Sequence, residues 1–185
     1  VNNEIDPCGW KKKPLGGLAR KATVIDDLSK EVSDLFIVDA GNLFFKKEII
    51  EPGIPYEKAI SNADIILKSF NKIGCDAFSP GKKDFAAGTE FLLDMYKEAT
   101  FPFISCNIYD LNNELLFNPY VIKEIKSKNL KVAFIGISSI FERDGIIIKN
   151  PIESLDYTIN EVSPISDIIV LLFSSNDNDI KLLQS

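Results

Sequence analysis

Two short stretches carry the residues able to do chemistry. Ser79-Pro80-Gly81-Lys82-Lys83-Asp84-Phe85 sets two lysines and a carboxylate behind a Pro-Gly turn, and Val38-Asp39-Ala40-Gly41-Asn42 sets a carboxylate and an amide behind an apolar run. Each follows a segment that reads as a buried strand, so each lies where an open α/β sheet delivers ligand-binding loops. Lysine ammoniums and loop amides at strand ends can cradle a phosphate or carboxylate. The same lysines also read as a solvated surface loop, and Asn42 after Gly41 as a turn residue tolerant of left-handed backbone.

What the chain lacks narrows the chemistry further. It has no histidine, and imidazole is both the commonest transition-metal ligand and the usual general base near neutral pH. Ser-His-Asp and Cys-His machinery are excluded, as is a haem held by histidine; an all-carboxylate magnesium or calcium site stays open. Cys8, Cys75 and Cys106 are too few and scattered for a zinc cluster or a disulfide framework. Cys75 and Cys106 sit in apolar segments and read as small core residues, whereas Cys8, ahead of Gly9-Trp10, reads as the exposed thiol.

The elements that must position the two loops follow from period and punctuation. Leu15, Leu18, Ala22, Ile25 and Leu28 predict an amphipathic helix from just after Pro14 to about Glu31, with Gly16-Gly17 near its start. Leu35 to Val38 is a short strand, and residues 43–55, with Pro52, Gly53 and Pro55, form an irregular connection. Tyr56 to Ile73 is a helix with Gly74 as its C-cap. Cys75 to Phe78 is a strand, Thr89 an N-cap for a helix to about Ala99, and Phe101 to Cys106 a strand opening into Asn107-Ile108-Tyr109-Asp110. Leu115 to Phe117, Tyr120 to Ile125 and Leu130 to Ile137 read as strands, with a turn at Ser127-Lys128-Asn129. Ile146 to Ile148 is a small strand, Pro151 to Val162 a helix, Ile168 to Phe173 a strand, and a further helix begins after Asp177.

This alternation predicts an α/β fold, one sheet or two stacked with helices outside, in a single domain over residues 1–185. With 45% hydrophobic and 26% charged residues the chain has the composition of an ordinary globular protein. A net charge of −6 argues against a general nucleic-acid surface, and Lys11-Lys12-Lys13 reads as a solvated turn. No run reaches the roughly 20 apolar residues of a membrane span, and the N-terminus lacks the build of a signal peptide, so the expectation is a soluble or already processed chain.

Several phrases occur in one order along nearly the whole chain: Pro14-Leu15-Gly16-Gly17-Leu18-Ala19-Arg20; Val38-Asp39-Ala40-Gly41; Asp76-Ala77 through Phe85 and Gly88; Phe101-Pro102-Phe103 with Asn107-Ile108-Tyr109-Asp110; and Val132-Ala133-Phe134-Ile135-Gly136. In register they resemble the calcineurin-like metallophosphoesterases, in particular the 5′-nucleotidase branch. The resemblance implies stacked mixed β-sheets flanked by helices, two bound metal ions, phosphoester hydrolysis, and a periplasmic or extracellular setting.

The family's ligand positions are altered. Asn42 stands where the resemblance places an aspartate bridging both metals, Lys82 where it places an asparagine ligand, and Lys83 where it places the histidine that polarises phosphate. Asn2 falls at the histidine of an opening Asp-x-His, Ser175 falls at a further histidine ligand, and the closing Gly-His-x-His would lie beyond Ser185. Two dications about 3.5–4 Å apart need anionic or imidazole donors to hold them, and lysines bring charge of the wrong sign. The expectation is therefore a pseudoenzyme without metal or other cofactor: a binding or structural subunit of a larger assembly, with a protein partner in a hetero- or homo-oligomer. Its former active-site positions, Asn42, Lys82, Lys83, Asp84, Asn107 and Ser175, are the candidate anion-binding residues. The alternatives are a metal-dependent phosphohydrolase completed by residues outside this chain, and an anion or nucleotide sensor.

Overall fold

The computed structural model describes residues 3–6 and 16–174. Expectations that fall on Asn2, Cys8, Lys11 to Lys13, Ser175 and the helix after Asp177 lie outside the described residues.

In chain order the elements are α1 (Leu18–Glu31), β1 (Val38–Asp39), α2 (Ile54–Ile73), β2 (Ala77–Phe78), α3 (Thr89–Glu98), β3 (Ile108–Tyr109), β4 (Tyr120–Ile125), β5 (Leu130–Ser138), β6 (Ile147–Ile148), α4 (Pro151–Val162) and β7 (Ile168–Ser174). The long periodic segments fold as their spacing predicts. α2 buries Ala63, Ile66, Leu67 and Phe70 along one stripe and stops at Gly74, whose φ of 85° is the left-handed C-cap geometry that glycine adopts freely. α4 begins at Pro151, with the Asn150 side chain accepting from the Ile152 and Glu153 amides.

β1 and β2 pair in parallel. β4 and β5 form an antiparallel hairpin, and β7 lies parallel to β5 to complete a three-stranded sheet in the order β4-β5-β7. The hairpin turns where Ser127-Lys128-Asn129 predicts it, with Asn129 at φ 52°. Alternation along β5 sorts its side chains between two cores. Val132 and Phe134 join Ala77, Ile104 and Leu172 in one cluster. Ala133, Ile135 and Ile137 join Leu155 and Val162 of α4 in another. Residues of α1, α2 and α3 pack with Phe44, Phe78 and Phe103 in the largest, where the Phe78 and Phe103 rings meet edge-on at 4.7 Å. The strands fall into three sheets, β1-β2, β3-β6 and β4-β5-β7, in the mixed α/β architecture that the alternation predicts.

Local signals failed where the structure depends on distant partners. Phe101 to Cys106 makes only isolated bridges, Phe78 to Phe103 and Ile104 to Asn118, while Leu115 touches the strand pattern through one bridge to Tyr109. Ile108–Tyr109, expected as loop, is β3, because it pairs antiparallel with β6. Gly88 rather than Thr89 is the N-cap of α3; the Thr89 hydroxyl instead donates to the Asp144 carbonyl. Gly16 and Gly17 precede α1 rather than occupying its first turn. Cys75 and Cys106 are buried free thiols, and burial pushes them up to about 12 and about 11, so neither is a reactive thiolate at neutral pH.

Candidate functional site

The two loops meet at the carboxyl ends of β1 and β2, against the last residue of β7. Gly41 and Gly81 make that approach possible. At either glycine an added Cβ would overlap Ser174 of β7, and Gly41 also has a φ of 108° that side-chain-bearing residues rarely adopt.

Asp84 is the hub of the cluster. It is fully buried in the short 3-10 turn Lys82–Phe85. Its Oδ2 accepts from the Asn42 amide (2.7 Å) and the Gly81 amide (2.8 Å). Its Oδ1 accepts from the Phe44 amide (2.9 Å). The carboxylate thus ties loop 41–44 to loop 81–85, and its oxygens are spent on the protein's own backbone.

Asn42 closes the gap to β7. Its φ of 55° is the left-handed conformation expected of it. Its Oδ1 accepts from the Lys83 amide (3.1 Å), and its Nδ2 donates to Ser174 Oγ (2.9 Å). One amide therefore clasps the β1 loop, the 3-10 turn and the end of β7. The Lys82 ammonium pairs with Glu48 at 2.8 Å on the surface. Among the described residues the Lys83 ammonium has no ion-pair partner.

Asn107 is held in an adjacent cluster. It is fully buried, its Nδ2 donates to the Ser138 and Lys149 carbonyls, and its Oδ1 accepts from the Ser138 amide and the Ser105 hydroxyl. The two clusters adjoin at the Ser138–Ser174 rung of β5 and β7. Asp39 is mostly buried; its Oδ1 accepts from the Gly41 amide, and Lys21 stands 3.9 Å from its Oδ2. Burial raises its pKa, with Lys21 opposing.

The structure thus brings Asn42, Lys83 and Asp84 into one network. It sends Lys82 outward to Glu48 and places Asn107 next door. Ser175 lies outside the described residues, but its neighbour Ser174 is a member of the network that sequence reasoning missed. The available signal was its position as the last residue of an apolar strand. Glu48 had no local signal, since its role depends on how the irregular connection folds back.

As a two-metal centre this donor set does not fit. Asn42 is neutral and its oxygen is engaged, Asp84 already accepts from three amides, and Lys83 brings a cation. Among the described residues no three of Asp, Glu or Cys come together as a metal cage.

Burial drives the Asp84 carboxyl up to about 7, against the opposing pull of its amide donors. A group whose folded pKa is raised holds a proton that the unfolded chain has released, so its contribution to stability is complete below about 4 and is lost as pH rises towards 7. Exposed Asp34 and Asp110 are shifted down and act with the opposite sign. Comparison with Asp84→Asn isolates the buried group: in urea titrations across pH 4–7 the advantage of wild type over the variant shrinks as pH rises. A constant gap would place the carboxyl at its ordinary value.

No protein-family model matches the chain. Protein UshA of Salmonella pullorum is 33% identical over 124 residues, which is 66% of this chain and 22% of that protein. A 5′-nucleotidase of Vibrio parahaemolyticus is 32% identical over 125 residues, 66% of this chain and 21% of that protein. The chain therefore spans about a fifth of the length of the curated relatives it matches. Among solved structures, the calcineurin-like phosphoesterase YfkN of Bacillus subtilis superposes with a TM-score of 0.71 at 25% identity, over 94% of this chain and 59% of that one. A 5′-nucleotidase precursor of Thermus thermophilus gives 0.74 at 23% identity, over 91% and 34%. Sequence and fold together make this chain a homologue of the UshA and 5′-nucleotidase proteins, with the fold of the calcineurin-like phosphoesterases.

Proposed function

We propose that the chain is a non-catalytic phosphoesterase-like module, a binding or structural subunit whose ancestral metal cleft has become a hydrogen-bonded clasp. The observation that supports this most is the Asn42 side chain, which links Lys83 and Ser174 where a bridging carboxylate would have to hold two cations. An amide is a neutral cross-link that needs no metal to be stable, so the loops keep their frame without the chemistry. Lys83, whose ammonium has no ion-pair partner among the described residues, leaves a small anion or nucleotide as a possible ligand of the same rim. An extracytoplasmic setting is part of the proposal by resemblance; no helix among the described residues is long and apolar enough to cross a membrane.

A second reading, a metal-dependent phosphohydrolase completed by residues outside this chain, is favoured by the homology itself, since relatives at 32–33% identity include a 5′-nucleotidase. One experiment separates the two. The protein purified natively, with whatever polypeptide or co-purifying chains accompany this one, is assayed against nucleoside monophosphates and a model phosphodiester with added manganese, zinc or magnesium, beside elemental analysis of the same sample. The module reading expects hydrolysis at the buffer rate and no stoichiometric metal. Turnover well above blank with two metals bound would overturn it.

A further inference from the structure

Two cations at the rim of the cleft, Lys82 and Arg143, meet on one residue of the irregular connection. The Lys82 ammonium pairs with the Glu48 carboxylate at 2.8 Å, and both side chains are half-exposed. Arg143 Nη2 donates to the Glu48 carbonyl at 3.1 Å. The segments that carry the two cations are packed on each other. Phe85 closes the 3-10 turn that begins with Lys82; its ring meets that of Phe141 with centroids 5.5 Å apart, and both are buried. Arg143 follows Phe141 by two positions and is fixed from its other side by the bond from the Thr89 hydroxyl to the Asp144 carbonyl.

The donors of Arg143 are largely unmatched. A guanidinium offers five N–H groups in a planar fork that fits an oxyanion. Here Nη2 donates to a neutral carbonyl, and the buried Nε–H has no hydrogen-bond partner. Among the described residues no carboxylate pairs with this side chain, although Glu142 and Asp144 beside it are exposed. A buried, unpaired donor on a permanent cation calls for a water, an ion or a ligand.

We propose that a phosphate-like oxyanion binds on this rim by displacing Glu48, taking the Lys82 ammonium and the fork of Arg143. Glu48 is a built-in counter-ion that holds Lys82 until a stronger anion replaces it. Displacing it costs little, because an exposed ion pair contributes little to stability. A doubly charged oxyanion meets two cations where Glu48 pairs with one. The inference rests on the module reading, which leaves an anion as a ligand of this rim, and adds which residues take that anion and which one competes with it.

The test is a calorimetric titration of the natively purified protein, with any chains that accompany it, in chelator at constant ionic strength. Inorganic phosphate and adenosine monophosphate are the probes, and they separate a free anion from an esterified one. Wild type is expected to bind at least one of them. Glu48→Gln removes the competing charge and is expected to bind about fivefold more tightly. Arg143→Lys keeps the charge without the fork and is expected to bind several-fold more weakly, with unchanged far-ultraviolet circular dichroism. Absence of binding in both wild type and Glu48→Gln overturns the proposal, as does equal affinity of the two. An unchanged affinity in Arg143→Lys overturns the assignment of Arg143. Metal-dependent hydrolysis of the monophosphate, measured without chelator, would sink the module reading, while the comparison at Glu48 in chelator stands or falls by itself.

Discussion

Asp84→Ala is expected to lose about 3 kcal/mol of stability at pH 6, read as a drop in the urea midpoint with little change in slope. The variant strands the amides of Asn42, Gly81 and Phe44, which all donate to this one carboxylate. An orphaned buried donor costs roughly 1–3 kcal/mol. At pH 6 the buried group, with its pKa pushed up to about 7, is mostly the neutral acid, a weaker acceptor than the carboxylate, which keeps the loss towards the low end of that sum. In a chain of this size about 3 kcal/mol corresponds to a melting-temperature shift on the order of 10 °C. Asp84→Asn keeps an acceptor oxygen but turns an amide donor towards one of the three N–H groups, so a smaller loss is expected. A loss below about 1 kcal/mol for the alanine variant would mean that water replaces the carboxylate, and that the loops do not need it.

That hub also shows which parts of the molecule the sequence made legible. α4 and β4 begin and end where their pattern places them, because amphipathic period and turn residues act over a few positions. The two loops were legible for the same reason: an apolar run ending in Gly-Asn or Pro-Gly marks a strand followed by a turn. What the loops do with their side chains was not. Asp84 reads as one more polar residue beside two lysines, and only the fold aims three amides from two separated loops at it. Asn42 was correctly seen as a left-handed turn residue, yet its bond to Ser174 spans 132 positions. Lys82 looked like half of an anion cradle until the irregular connection brought Glu48 to it.

Gly136→Ala is expected to cost more than Asp84→Ala, and the reason lies in one of the segments whose apolar character predicts a strand that does not form. The segment from Phe101 to Cys106 has the apolar character of a strand but does not enter a regular ladder. It crosses β5 so closely that a Cβ at Gly136 would overlap the Ile104 carbonyl. One hydrogen bond fixes that crossing, from the Cys106 amide to the Gly136 carbonyl (2.8 Å), while the Gly136 amide donates to the Pro119 carbonyl just ahead of β4 (3.2 Å). The obstruction is backbone rather than a flexible side chain, so relief requires the crossing segment to lift. Ile104 would then withdraw from the core it shares with Val132, Phe134 and Leu172. Overpacking a rigid core typically costs about 1–3 kcal/mol, and loosening Ile104 adds part of the roughly 2–5 kcal/mol carried by a buried aliphatic side chain. Gly136→Ala should therefore lose on the order of 4 kcal/mol by chemical denaturation, and the bulkier Gly136→Val should fail to fold at all. A near-neutral Gly136→Ala would show that the segment passes over β5 without resting on it, and Ile104 would then be an ordinary core residue held by its side chain alone.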